Sequence, residues 1–182
     1  MKIIQVEGIY ENGQIRLLES VPVSQSKVMV SFFTEEKKPV LMNENLFWEI
    51  LDLLDFQKEE AKEIIRPCIN RLMDYEAEEI FHFEEILSEK LYSLDGRMFA
   101  DHISELKKYF SADSFLYFRC GALVEGKDFY YRLLKNPSCF SEVNPFEPVL
   151  SIAERAYRFR FGSSLPLTKI SYETYSNQKL WV

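Results

Sequence analysis

The apolar residues of this chain change their period once, and that change constrains the fold more than any other feature. Ile4, Val6, Gly8 and Tyr10 alternate, and Val28, Val30 and Phe32 alternate again. A period of two places every second side chain on one face of a strand. Between these stretches Glu11-Asn12-Gly13-Gln14 carries the Asn-Gly pair that favours a two-residue hairpin turn. Such a loop pairs Tyr10 with Ile15 and Gly8 with Leu17, placing Val6, Tyr10, Ile15 and Leu17 on one face. Val21-Pro22 breaks the second strand. The expectation is a three-stranded antiparallel module over 1–36. Three short strands bury little, so the module needs the rest of the chain or a second copy against it.

Thr34-Glu-Glu-Lys-Lys-Pro39 is charged and ends in proline, which makes 37–42 a linker. Beyond it the period becomes helical. Asn43 can cap a helix with Leu46, Phe47, Ile50, Leu51 and Leu54 inward. A helical stretch from about Lys58 to Met73 contains Pro67, which kinks it or starts it anew. Asp74 caps a third helix with Ile80, Phe81, Phe83, Ile86, Leu87 and Leu91 inward. Further helices are expected over Arg97–Phe110, Ser111–Gly126, Asp128–Leu134 and Pro148–Arg160. The fold class is therefore α+β: a β module, an all-α multi-helix domain over 43–161, and a C-terminal extension over 162–182. The extension is a loop or an added strand, with Trp181 docking its end.

The stretch Ser111-Ala-Asp-Ser-Phe-Leu-Tyr-Phe-Arg-Cys-Gly-Ala-Leu-Val-Glu-Gly126 holds the most specific polar feature. Ser111 or Asp113 can cap its helix. Arg119 falls among aromatic positions, so its guanidinium should run over ring faces towards a carboxylate on another helix. The candidate binding residues are Trp48, Asp113, Phe118 and Arg119. Each also has a structural role open to it: cap for Asp113, core packing for Trp48 and Phe118, a buried ion pair for Arg119.

Charge and composition exclude more than they assign. Of 22 basic and 29 acidic residues, five of each lie in 1–38, so the net charge of -7 belongs to the remainder. An acidic body disfavours nucleic acid, which needs a basic stripe to displace counterions. The exception is Arg155, Arg158 and Arg160, interleaved with Tyr157 and Phe159, which could grip an acidic partner or RNA. No catalytic residue is assigned, because no nucleophile has its base and Gly162-Ser-Ser lacks a following elbow glycine. No metal or cofactor is expected. Glu79-Ile-Phe-His82 is one half of a di-iron motif without its second half, and the 3 cysteines form no C-x-x-C pair. The first residues carry no long apolar region and no run reaches membrane-spanning length, so a cytoplasmic protein without membrane segments is expected.

Two resemblances add to this reading. Residues 43–160 resemble an uncharacterised bacterial helical family, domain of unknown function 4240, through Phe47-Trp48, Asp113-Ser-Phe-Leu-Tyr-Phe-Arg119, Gly126 and Asn136-Pro137. The chain departs from it at Ala112, where a second acid is frequent, and at Gly121, where a tryptophan stands. Residues 2–33 resemble the small antitoxin-like β family, domain of unknown function 104, through Val6-Glu-Gly-Ile-Tyr-Glu-Asn-Gly13, Leu17-Leu18, Val21-Pro22 and Val28-Met-Val30. That resemblance implies a dimerising module found beside toxins. Together these give the expected function: a non-enzymatic, intracellular protein-interaction module of antitoxin or immunity type, homodimeric through 1–33, with a toxin-like protein or itself as partner. The alternative is an enzyme or small-ligand binder using an interhelical pocket between Asp113 and Arg119.

Overall fold

The computed structural model describes residues 6, 8–21, 30, 42–104 and 111–182. The chain separates into two compact units, Met1–Glu36 and Lys37–Val182.

In the first unit, β1 (Gly8–Glu11) and β2 (Gln14–Leu17) form an antiparallel pair. Asn12 and Gly13 both have positive φ, +51° and +82°, as the tight turn requires. The register pairs Tyr10 with Ile15 and Gly8 with Leu17, as the turn chemistry predicts. The sheet has two strands among the described residues, not the three expected. Alternation is satisfied by any extended stretch, paired or not, whereas the hairpin is closed by its own turn. Val30 belongs to no strand, and Val28 and Phe32 lie outside the described residues.

The second unit is helical: α1 (Glu44–Leu51), α2 (Ala61–Ile64), α3 (Arg66–Leu72), α4 (Ala77–Ser93), α5 (Arg97–Ser104), α6 (Ala112–Val124), α7 (Lys127–Lys135) and α8 (Ile152–Phe161). The Asn43 side chain caps α1, accepting from Leu46 N at 3.1 Å. Pro67 begins α3, where its missing N–H costs nothing, so the expected long helix over 58–73 is two short ones. Glu76, not Asp74, occupies the N-cap position of α4. Ser111 caps α6 in a reciprocal box with Ser114, which leaves Asp113 in the first turn and exposed. The expected helix over 148–160 starts as a 3₁₀ turn, Glu147–Ser151, before α8.

Helix α6 is the axis of this unit. Eight of its residues, Phe115, Leu116, Phe118, Arg119, Cys120, Gly121, Ala122 and Leu123, are buried, so it is covered nearly all round. Helices α4 and α7 and the Glu147–Ser151 turn pack against it. At Gly121 the backbone of the 137–147 loop comes close: an added Cβ would lie 1.9 Å from Asn144 O. Nearby, Phe146 N donates to Tyr117 O at 2.9 Å. The glycine is there to admit a neighbouring chain.

That reading fixes the sign of a substitution. In an exposed helix Gly→Ala stabilises by roughly 0.5–1 kcal/mol. Here the clash is with backbone, which cannot swing aside, so Gly121→Ala should destabilise by about 1–3 kcal/mol. A denaturant melt of the variant checks this, and a gain in stability would contradict it.

Candidate functional site

Three buried polar residues of the helical unit, Asp95, Arg119 and Asn177, gather at the C-terminal end of α4. Helices leave their last carbonyls without intrahelical partners. In α4 these are met by side chains from elsewhere. Tyr130 OH donates to Lys90 O (3.1 Å), Arg119 NH1 to Leu91 O (3.0 Å), and Asn177 Nδ2 to Tyr92 O (2.9 Å).

Arg119 is 0% exposed. Its guanidinium lies 4.8 Å from the centre of the Phe115 ring, donates to Thr174 Oγ1 at 2.9 Å, and comes within 4.0 Å of Asp95 Oδ1. Its Nε has no hydrogen-bond partner. Burial lowers its pKa, and the Asp95 carboxylate opposes that shift. Asp95, equally buried, follows α4 and gathers four donors from the C-terminal extension: Tyr175 N (3.1 Å), Ser176 Oγ (3.2 Å), Asn177 N (2.9 Å) and Trp181 Nε1 (3.0 Å). An ionised carboxylate accepts such bonds at full strength, and four of them replace the hydration it has lost.

A second node joins α1, α4 and α7. Lys90 Nζ lies 3.1 Å from Glu44 Oε1 and donates to Tyr131 OH at 2.9 Å. It also faces the rings of Trp48, Tyr130 and Tyr131 at 5.9, 5.2 and 5.0 Å. Trp48 Nε1 donates to the same Glu44 oxygen at 3.1 Å, as does the Tyr131 hydroxyl. The Tyr131 bond is the main cause that holds the Glu44 carboxyl down at about 2.

The four candidate residues do not converge. Trp48 is buried in the second node and packs at 5.5 Å against Tyr130. Phe118 is buried in the core and Asp113 is exposed. Only Arg119 belongs to the Asp95 node. Two shallow grooves mark the surface. One of about 320 Å³ is lined by Lys62, Ile65, Glu147, Ser151 and Arg155 among others, and one of about 260 Å³ by Glu85, Glu89, Thr168, Lys169 and Ile170. None of the four candidates lines either. In the basic trio, Arg158 pairs with Glu154 at 2.8 Å and Arg160 with Glu76 at 2.5 Å, leaving Arg155 to the first groove. Glu79 is buried while His82 is half-exposed and 3.8 Å from Glu85. Among the described residues no cluster of His, Cys, Asp or Glu could hold a metal. Cys68, Cys120 and Cys139 are free and buried, and burial pushes the first two thiols up to about 12.

Sequence reasoning missed Asp95 and Glu84. Asp95 sits in Leu94-Asp95-Gly96, which reads as a turn. Glu84 is 7% exposed on the inner face of α4, in place of an apolar residue, and its Oε2 has no partner. Burial, with the nearby Glu154 carboxylate as the smaller cause, raises its carboxyl from 4.5 to about 8.

The helical unit is thus a single-core bundle organised round a buried arginine on its central helix. Residues 42–159, well over half of the chain, match the family described as Protein of unknown function (DUF4240). The chain belongs to that family. The match leaves 2–33 outside, so the likeness of those residues to the antitoxin-like β family is not shown by it. No curated protein and no solved structure matches the chain. Among the described residues, no helix is long and apolar enough to cross a membrane.

Two outcomes are expected from these nodes. Arg119→Ala strands the buried Asp95 without its cation and should cost about 3–5 kcal/mol. A thermal melt equal to the parent's would contradict the pair's structural role. Glu84 binds a proton when folded that the unfolded chain releases, so stability should fall as pH rises from 4.5 to about 8. The slope from this group is at most about 1.4 kcal/mol per pH unit. Glu44 acts in the opposite direction: its contribution is present above 4.5 and is lost as pH falls towards about 2. Glu84→Gln should therefore raise Tm at the alkaline end of that window and change it little at the acidic end. Melts of both proteins across pH test this, and parallel curves would refute it.

Proposed function

We propose that the protein is a protein-interaction module of antitoxin or immunity type that works by contact, with its N-terminal unit joining two copies. The observation that carries this reading is the exposed apolar face of the hairpin. Tyr10, Ile15 and Leu17 lie on that face and are 57%, 46% and 44% exposed. A two-stranded hairpin is marginal in water on its own, and among the described residues each of its strands is an edge. A second copy is the simplest complement, because an antiparallel edge-to-edge pairing is self-complementary about a two-fold axis. Charge does not oppose it: residues 1–38 carry five basic and five acidic side chains.

Work by contact is supported by how the buried ionisable groups are used. Buried Arg119 and Asp95, and part-buried Glu44 and Lys90, are bonded to other parts of the same chain, where a catalytic group would face a cavity.

Light scattering tests the dimer. The full chain should be dimeric at micromolar concentration, and Ile15→Asp with Leu17→Asp should make it monomeric while leaving the helical unit's melt unchanged. A parent protein that stays monomeric at high concentration would overturn the reading. The antitoxin or immunity type is tested by co-expression with the product of the neighbouring gene, where rescue of growth is expected.

A further inference from the structure

The chain leaves α8 through Gly162 (φ +70°), followed by exposed Ser163 and Ser164. Beyond it, residues 165–182 form one 3₁₀ turn, Gln178–Leu180, and otherwise no regular element. The backbone-to-backbone bonds described for this segment are internal: Ser176 N to Glu173 O, Leu180 N to Asn177 O, and Trp181 N to Gln178 O. Its attachment to the helical core runs through side chains instead.

Those attachments have the form of a peptide held in a receptor. Asp95 accepts from two backbone N–H groups, one hydroxyl and one indole, so it reads both the course of the chain and the side chains at 176 and 181. Arg119 donates to the Thr174 hydroxyl, which in turn donates to Ala112 O at 2.7 Å. Arg97 donates to the Trp181 carbonyl at 3.1 Å. The Trp181 ring stands edge-on to Phe115 at 5.8 Å, and Leu180 lies against Gly96, where a Cβ would meet it at 2.6 Å. Asn177 is the one fully buried residue of the segment, bonded at both its N–H and its amide. Nearer the hinge, Leu165 N reaches Glu154 Oε2 at 2.8 Å and Thr168 lies 3.2 Å from Ser88 Oγ.

We propose that the cleft formed by Asp95, Arg119, Phe115 and Gly96 is a peptide-binding site, filled in cis by Thr174–Trp181, and that the same segment of a second copy fills it in trans by reciprocal exchange about Gly162–Ser164. Cis and trans docking make the same contacts, so they differ only in the hinge and in effective concentration. The selectivity follows from the buried partners. A peptide lacking the donors at 176, 177 and 181 would leave Asp95 unsatisfied. This site is separate from the hairpin face, and its test is built so that the two proposals fail independently.

Two full-length variants are made in the Ile15→Asp/Leu17→Asp background, which removes association through the hairpin. Trp181→Ala keeps the cleft and spoils the segment; Asp95→Asn keeps the segment and spoils the cleft. Each alone should be monomeric with a lowered Tm. Their mixture should give a one-to-one complex by light scattering and a melt above either variant's. A mixture that scatters and melts as the sum of its parts overturns exchange. In case Asp95→Asn fails to fold, a synthetic peptide of residues 171–182 is added to the Trp181→Ala protein. Its Tm should rise with the logarithm of peptide concentration, as for any ligand of the folded state. The same peptide with Asn177→Ala should give no rise. No rise with the parent peptide, or an equal rise with both, overturns the site.

Discussion

The helical unit depends on one buried ion pair. Removing a guanidinium from water costs several kcal/mol, and a single carboxylate at 4.0 Å does not offset that cost by itself. The pair is tolerated because its surroundings are polar by construction. Arg119 bonds the last-turn carbonyl of Leu91, where the negative end of the α4 dipole also favours a cation. Asp95 is held by four donors that come from a segment distant in sequence. The pair therefore needs the extension, which Arg97, Glu154 and Ser88 also hold. Only Nε of Arg119 lacks a partner.

Much of this organisation was legible in the sequence. The apolar period located the helices, the Asn-Gly turn fixed the hairpin register, and Pro67 marked a helix start. The segment 111–126 read as a capped helix with an arginine aimed at a distant carboxylate. The structure gives that carboxylate as Asp95, in the turn after α4 and not on a helix as expected. Asp95 itself was illegible, because an acid beside a glycine in a turn is among the commonest of local patterns. What distinguishes it is a set of donors some 80 residues further along the chain, and no local rule carries that information. Glu84 was illegible for a different reason. A single acid on a helix inner face looks like a register error in the pattern, and only the assembled core shows that it is enclosed. The irregular extension has neither period, so its Trp181 could be read but its path could not.

The two polar nodes are not independent features. Lys90, Leu91, Tyr92 and Asp95 span little more than one turn of chain, yet they contact α1 and α7, α6, and the extension in that order. A helix end is the natural place for such a hub. Its last carbonyls have accepting capacity left over from the tight closing turn, they point in different directions round the axis, and each can take a donor from a different neighbour. The apolar core sets which helices approach one another, but it is non-directional and tolerates sliding. The hydrogen bonds to α4 do not tolerate it: a shift of one residue along α4 would break every bond at once. Packing thus supplies the stability of this fold, and the α4 terminus supplies its register.

This division of labour bears on the functional reading. A cavity that performs chemistry keeps at least one strong polar group unsatisfied by protein, ready for substrate. At Asp95 the carboxylate is met by donors of the chain's own extension, and that extension is held through side chains, without backbone pairing to the core. In the exchange proposed above, the polar cleft that this extension closes would receive another peptide with the same donors. The exposed hairpin face has the complementary property, an edge that any extended strand can meet. Under the two proposals each unit therefore has a different way of binding polypeptide: one by backbone pairing at an edge, the other by a buried carboxylate that counts donors. On the same proposals, discrimination among partners would come chiefly from the second of these, where a missing donor leaves a buried charge unsatisfied, and only weakly from the first.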